Sequence, residues 1–263
     1  MIVGMNLAVF LFIVGFLTCI ISIGIWLIFT KRPRLPIINC IMITGQNAQR
    51  TAYAQLAIKN FYAQDYQLKN LIIINQSSTP LSTPSPIITE RMVGTTSLSL
   101  GALRNLALEM VPLGQYFTTW DDDDLRTPTY LSDFVAALRT TASIPALTSR
   151  YEYNKISGLT WVANKPSGFV LFLAPVHPNI RYLDKATMED VDILDIYQKT
   201  GYRVVPIHNQ PNSYVRLVHG NNTSLYVDVA KDYMIESPQY YERPTTPAEK
   251  DWIGTVMQAY VNA

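Results

Sequence analysis

Four consecutive carboxylates, Asp121-Asp122-Asp123-Asp124, follow the apolar and β-branched run Tyr116-Phe117-Thr118-Thr119-Trp120 with no spacer between them. Two unit charges about 4 Å apart repel by about 1 kcal/mol in water and about 4 kcal/mol near a protein surface, so four adjacent acids on a fixed turn need a counter-charge. A divalent cation would supply it, and aspartate oxygens suit Mg²⁺ or Mn²⁺. The ordinary alternative is a solvated acidic turn, and where the acids sit in the fold decides between the two.

The run before the acids reads as a buried strand. Leu125 to Leu138 behind them reads as a helix, with Thr127 as N-cap, Pro128 at the first helical position, and Tyr130, Leu131, Phe134, Val135 and Leu138 on one face. The acids then stand at a strand's carboxyl end, where open α/β sheets place their ligands. Upstream, Ile37 to Ile43 predicts a strand, Gln49 to Gln64 a helix with Tyr53, Leu56, Ala57 and Phe61 on one face, and Leu71 to Ile74 a second strand. This is a βαβ unit and therefore a parallel pair. Ser77 to Pro86 reads as a loop and Ser99 to Met110 as a helix leading to the acidic strand.

Beyond residue 140 the pattern predicts a hairpin, Ala146 to Tyr153 with Leu159 to Ala163, then a strand at Phe169 to Leu173. Glu189 to Thr200 reads as a helix and Tyr202 to Pro206 as a strand. Thr246-Pro247-Ala248-Glu249 is a capping-box pattern opening a C-terminal helix with Ile253, Val256, Met257 and Tyr260 on one side.

The 263 residues are 48% hydrophobic and 16% charged, enough for one domain of about 230 residues plus a membrane segment. The net charge of +1 offers no argument for nucleic acid. Cys19 and Cys40 cannot build a disulfide framework. Leu7 to Phe29 is an uncharged apolar run whose 23 residues, at 1.5 Å each, reach across a bilayer core of about 30 Å. With no basic n-region and no small-residue cleavage site, it reads as a membrane anchor rather than a signal peptide. The expected organisation is an anchor at 1–30, a juxtamembrane linker at 31–36 and one folded domain at 37–263. Lys31, Arg32 and Arg34 follow the run, and only the α-amino group precedes it, so a single-pass protein with its folded domain in the cytosol is expected.

Four stretches occur in a meaningful order: Ile43-Thr44-Gly45-Gln46-Asn47, Ile72-Ile73-Ile74-Asn75-Gln76-Ser77-Ser78-Thr79, Gly101-Ala102-Leu103-Arg104-Asn105, and Asp121 to Asp124. Together they resemble the nucleotide-sugar half of family 2 glycosyltransferases. Met188-Glu189-Asp190-Val191-Asp192-Ile193-Leu194, followed by Gly201-Tyr202-Arg203-Val204-Val205, resembles the acceptor half. Arg216-Leu217-Val218-His219-Gly220-Asn221-Asn222-Thr223-Ser224 is similar to a segment of some bacterial members. The resemblance covers roughly residues 36 to 226. It implies the GT-A fold, an α/β domain with a mixed, mostly parallel central sheet flanked by helices, here preceded by one transmembrane helix.

The resemblance also implies site roles and partners. Asp121 and Asp123 match the two ends of an Asp-x-Asp motif that meets the donor ribose and the metal, with Asp123 the direct ligand and Asp122 between them at the nucleotide. Thr44 stands where the nucleobase is contacted, and Arg104 at a residue that reaches toward the nucleotide and suits a diphosphate. Asp190 matches the base that takes the acceptor proton, with Glu189 beside it, and His219 would offer an imidazole to the metal or the diphosphate. The family usually has an Asp pair after the second strand; here stand Asn75 and Gln76, whose amides could still pair with a base edge but carry no base preference. A nucleotide-diphospho-sugar donor, Mn²⁺ or Mg²⁺, and a glycan, lipid or protein acceptor are implied. The alternatives are a degenerate, membrane-tethered nucleotide- or carbohydrate-binding protein and a nucleotidyltransferase. The latter would be expected to carry a Gly-rich loop and a lysine after the first strand, which Thr44-Gly45-Gln46-Asn47 does not.

Overall fold

The computed structural model describes residues 15, 16, 18, 20, 35–45, 47–81, 85–164, 171–207, 213–219, 227, 228, 233, 234 and 241–261. It divides into two units, Met1–Leu35 and Pro36–Ala263. In the first, the described Gly15, Phe16, Thr18 and Ile20 are helical, and Thr18 Oγ1 donates to the Gly15 carbonyl. Most of the apolar run 7–29 lies outside the described residues. Among those described, no helix is long and apolar enough to cross a membrane.

The second unit opens with strand β1 (Ile38–Thr44), helix α1 (Ala48–Tyr62), β2 (Lys69–Asn75), β3 (Ile88–Met92), helix α2 (Leu100–Leu108) and β4 (Tyr116–Thr119). It continues with β5 (Leu125–Arg126), helix α3 (Tyr130–Ala137), β6 (Ser143–Leu147), β7 (Ser149–Asn154), β8 (Thr160–Asn164) and β9 (Ala174–Pro175). Helix α4 (Glu189–Lys199), β10 (Arg203–Ile207), β11 (Tyr214–Val218), β12 (Val227–Asp228), β13 (Tyr233–Met234), β14 (Tyr241–Pro244) and helix α5 (Pro247–Val261) complete it.

The main sheet has the order β3-β2-β1-β4-β9, parallel except for β9. Strands β1 and β2 are buried on both faces, which is why Cys40 to Ile43 and Leu71 to Ile74 read as apolar stretches rather than as an apolar/polar alternation. Alternation sorts their side chains: Cys40, Met42, Leu71 and Ile73 pack with Phe61, Trp120 and Phe134 on one side. Ile41, Ile72 and Ile74 pack with Leu103, Phe117, Ile193 and Tyr197 on the other. A second sheet, β14-β8-β7-β11-β5, packs Tyr151, Val162, Val215 and Leu217 against Ile253 and Met257 of α5 and Tyr53 of α1.

Local signals explain the helix starts. Asn47 caps α1 by accepting from Arg50 N at 2.9 Å, and Ser99 caps α2 by accepting from Ala102 N. The capping box before α5 forms as expected, with Thr246 N donating to Glu249 Oε2 at 2.8 Å and Glu249 N to Thr246 Oγ1 at 3.3 Å.

Three sequence expectations change. The helix expected from Leu125 begins only at Tyr130, with Thr129 rather than Thr127 at its N-cap. Leu125 and Arg126 are instead drawn into strand pairing with Val215 and Tyr214. The expected strand from Ala146 to Tyr153 is two strands in different sheets: β6 pairs in parallel with β10, while β7 makes the expected hairpin with β8. The expected strand Phe169 to Leu173 has residues 169 and 170 outside the described set, and Phe172 makes only an isolated bridge to Ala146. Strand β3, at the sheet edge with Thr89, Glu90 and Arg91 between Ile88 and Met92, carries too little apolar signal to be anticipated.

Candidate active site

The acidic turn leaves the carboxyl end of β4 beside the carboxyl end of β1, where a parallel sheet opens to ligands. Gly45 ends β1 at a φ of +96°, and a Cβ there would lie 2.1 Å from Asn75 Oδ1 and 2.6 Å from Ser77 N. Only glycine allows β1 and the segment after β2 to approach so closely.

The four acids have four different surroundings. Asp121 is partly exposed, and its Oδ1 lies 3.4 Å from Arg104 Nη2. Asp122 is buried; Thr44 Oγ1 donates to its Oδ2 at 2.6 Å, and Arg50 Nη1 bonds its Oδ1. Asp123 is also buried; its Oδ2 accepts from Arg50 Nη1 at 2.7 Å and lies 3.0 Å from His219 Nε2. Asp124 is held by the Tyr214 hydroxyl and, at 2.9 Å, by Leu217 N.

The counter-charge demanded by four acids is thus supplied by arginine. Arg50 lies on the first turn of α1 and bridges Asp122 and Asp123. Arg126 is fully buried under the turn, with its guanidinium carbon 4.3 Å from the Trp120 ring centre, 5.1 Å from that of Tyr214 and 5.5 Å from that of Tyr130. Its Nη1 donates to the Asp121 carbonyl at 3.2 Å. Trp120, Tyr130 and Tyr214 thereby pin the backbone of the acids from below.

Electrostatics differ along the turn. Burial, then the neighbouring Asp123 carboxylate, push Asp122 up to about 7 despite Arg50. Burial and the charges of Asp123 and Asp121 push Asp124 up to about 7. Asp123 is held below the usual carboxylate range, because Arg50 and His219 outweigh its burial. Of the three buried acids, it is the one whose surroundings favour the charged form.

The second acidic pair comes to the same place. Met188 adopts φ +65° and turns the chain into α4, whose first residues are Glu189 and Asp190. Gly101 makes this possible from the other side: its N donates to the Lys185 carbonyl at 3.0 Å, and a Cβ on it would meet the Leu183 carbonyl oxygen at 1.9 Å. Arg104 on α2 then bonds Glu189 through Nη1 and reaches Asp121 through Nη2. Its guanidinium carbon stands 5.4 Å from the Tyr182 ring centre. Asp190, partly exposed beside this pair, accepts from Val191 N at 2.8 Å. Burial raises its pKa, Arg104 opposes the rise, and Asp121 adds to it.

Every site residue read from the sequence is described, and most converge. Thr44, Asp122, Asp123 and His219 form one hydrogen-bonded group joined through Arg50, while Asp121, next in the chain, is bonded to Arg104, which also bonds Glu189 beside Asp190. Thr44 faces Asp122 rather than an open base site. Asn75 is fully buried; its Nδ2 donates to Thr79 O at 2.9 Å and Glu90 Oε1 at 2.6 Å, and its Oδ1 accepts from Ser77 N at 2.8 Å. Both amide hydrogens are used to hold the loop after β2, not to present a base-reading edge. Arg50, Arg126 and Tyr214 were missed. Arg50 had one available signal, its place in the first turn of a helix starting at the end of β1, where acids and not bases are expected.

The donor set can be tested for a divalent cation. Among the described residues, no group of three or more His, Cys, Asp or Glu side chains is arranged to hold an ion. Asp123 and His219 together offer a charged carboxylate and an imidazole nitrogen. Mg²⁺ and related ions take one or two carboxylates and complete their shell with substrate phosphates and water. The pair fits a cation that shares its ligands with a substrate, and not a self-sufficient protein cage.

No protein-family profile and no curated protein matches this sequence. Among solved structures, the chain is similar to residues 1–349 of TarS from S. aureus, with a TM-score of 0.50 and 13% identity over 68% of this chain and 60% of that one. It is also similar to the mannosyltransferase PcManGT from Pyrobaculum calidifontis in complex with GDP-Man and Mn²⁺, with a TM-score of 0.52 and 14% identity over 73% of this chain and 59% of that one. The chain therefore spans about three fifths of each. At such identities what is shared is the fold: a mixed α/β domain with a central sheet flanked by helices, of the kind that a mannosyltransferase uses.

Proposed function

We propose that this chain is a glycosyltransferase that moves a sugar from a nucleoside-diphosphate donor to an acceptor hydroxyl on a glycan, lipid or protein, with inversion and with help from Mn²⁺ or Mg²⁺. The observation that carries the reading is the bridge Asp121–Arg104–Glu189, which ties the acids at the end of β4 to the start of α4, where Asp190 stands. Donor-side acids and a candidate base therefore border one site. The likeness to a mannosyltransferase fold supports the same reading.

In this reading Asp190 receives the proton of the acceptor hydroxyl as its oxygen forms a bond to C1 of the sugar and the C1–oxygen bond to the diphosphate breaks. Partial burial makes Asp190 a stronger base than an exposed carboxylate, and Arg104 limits the rise. Glu189, buried against Arg104, fixes that guanidinium so that Asp121 and Asp190 keep their places. Asp123 and His219 would hold the cation, which when bound would offset charge on the leaving diphosphate.

The sequence run 7–29 would anchor the chain in a membrane, with Lys31, Arg32 and Arg34 holding the domain on the cytosolic side. Calorimetric titration of the full chain with UDP, GDP and CDP, each with and without Mn²⁺, tests the binding half of the proposal. Metal-enhanced affinity for at least one supports it, and heat from none of them rejects it.

A further inference from the structure

The oxygen of Asp123 that faces His219 is already bonded to an arginine. Oδ2 lies 3.0 Å from His219 Nε2 and 2.7 Å from Arg50 Nη1, and the same Nη1 also bonds Asp122. A divalent cation between Asp123 and His219 would share this oxygen with a guanidinium, and two cations at such separation repel. We propose that Arg50 is the resident cation of the acidic turn and blocks the metal from Asp123 until a nucleoside diphosphate arrives, so that metal and nucleotide bind as an interdependent pair. This rests on the reading of Asp123 and His219 as the metal-holding residues.

The three arginines of the site differ in what they could give up. Arg126 is fully buried among aromatic rings and bonded to backbone carbonyls, so its role is to hold the turn. Arg104 is bonded to Glu189 and Asp121. Arg50 holds the candidate ligand oxygen itself and sits on a partly exposed side chain at the start of a helix. A diphosphate offers a guanidinium paired oxygens that match its planar fork, a better partner than one oxygen from each of two carboxylates. Moving Arg50 from Asp123 to the diphosphate would leave Asp123 to the metal without leaving the guanidinium unpaired. By linkage, whatever factor the nucleotide adds to metal affinity, the metal must add to nucleotide affinity.

The test uses the full chain in detergent and follows Mn²⁺ binding by the loss of the free-ion EPR signal, alone and with saturating UDP or GDP. In the native chain Mn²⁺ should bind weakly alone and tighter by a factor of about 5 to 150 with one of the nucleotides, the usual range for coupled sites. Arg50→Gln should bind Mn²⁺ alone at least about tenfold more tightly and lose most of the nucleotide effect, since such a change lies inside that same range. Arg50→Lys, which keeps the charge, should retain part of that effect. A merely structural Arg50 would give the opposite sign, with metal affinity falling as the turn loosens. If Arg50→Gln does not fold, the native chain and Arg50→Lys still decide: tight Mn²⁺ binding by the native chain without nucleotide, or equal affinity with and without it, overturns the proposal. Absence of Mn²⁺ binding to every variant under every condition instead removes the underlying metal reading, and this inference with it.

Discussion

The Asp123 carboxylate and the His219 imidazole, 96 positions apart in the chain, meet at 3.0 Å. β4 delivers one and β11 the other, and they meet because β5, immediately after the acidic turn, pairs with β11. The His219 ring is further held against Tyr53 of α1, with centroids 5.3 Å apart. A two-residue strand that sequence reasoning took for the start of a helix is therefore what assembles the candidate metal-holding pair.

Asp123→Ala should abolish Mn²⁺-dependent binding of nucleoside diphosphate, because two negative partners lose the cation between them. His219→Ala should weaken the same dependence, by roughly 10-fold to 100-fold, and leave metal-independent binding unchanged. Calorimetry with and without Mn²⁺ reads both. Full Mn²⁺ dependence in Asp123→Ala would move the metal elsewhere.

Asp190→Asn separates binding from chemistry. Donor affinity should stay within a few-fold while transfer falls by roughly 10² to 10⁴, the range of a positioned base. An unchanged transfer rate would remove Asp190 from the role.

The pH profile gives an independent check on the same residue. Burial raises the proton affinity of Asp190 and Arg104 opposes that rise. Transfer requires the ionised carboxylate, so the rate should fall as pH drops through a value above the ordinary carboxylate range. Arg104→Gln removes the opposing charge and should move this acid limb to higher pH. A limb that stays in place or moves down would contradict the assignment.

Tyr214→Phe tests the support under the turn. The hydroxyl bonds Asp124, which Leu217 N and the nearby Arg126 hold from other sides. Losing that donor to a buried carboxylate should cost about 1 to 3 kcal/mol, seen as a lower urea midpoint with an unchanged slope. An unaltered midpoint would mean the acid is held without the tyrosine.

Much of this arrangement was legible. The apolar runs Ile37 to Ile43 and Leu71 to Ile74 marked two strands around a helix, and the Thr246–Glu249 capping box marked the start of the last helix. The acids at the end of β4 and the pair opening α4 were readable by type and order. What was not readable depends on long-range pairing. Leu125-Arg126 has no strand signature until β11 lies beside it, and Arg50 has no visible charge partner until Asp122 and Asp123 arrive 72 and 73 positions later. Four acids in a row imply a positive charge, and sequence alone cannot say whether it is a metal or a guanidinium.

The orientation of the domain can be read from glycosylation. Asn75-Gln76-Ser77, Asn221-Asn222-Thr223 and Asn222-Thr223-Ser224 are acceptor patterns. Asn75 is fully buried, so the two later sites are the informative ones. Expressed in a eukaryotic cell, a cytosolic domain stays unmodified there and is digested by protease added to sealed microsomes. Endoglycosidase-sensitive mass, or protection until detergent is added, would reverse the topology.

Donor turnover tests the central claim most directly, since slow hydrolysis of a sugar nucleotide needs no acceptor. The full chain, incubated with a panel of UDP-, GDP-, CDP- and dTDP-sugars and Mn²⁺ or Mg²⁺, should release free sugar from at least one donor. Proton NMR of the fresh product should show the anomer opposite to the donor's. Asp123→Ala should release none. No release from any donor by a folded, nucleotide-binding chain, or release that Asp123→Ala leaves unchanged, would contradict the assignment of this site to glycosyl transfer.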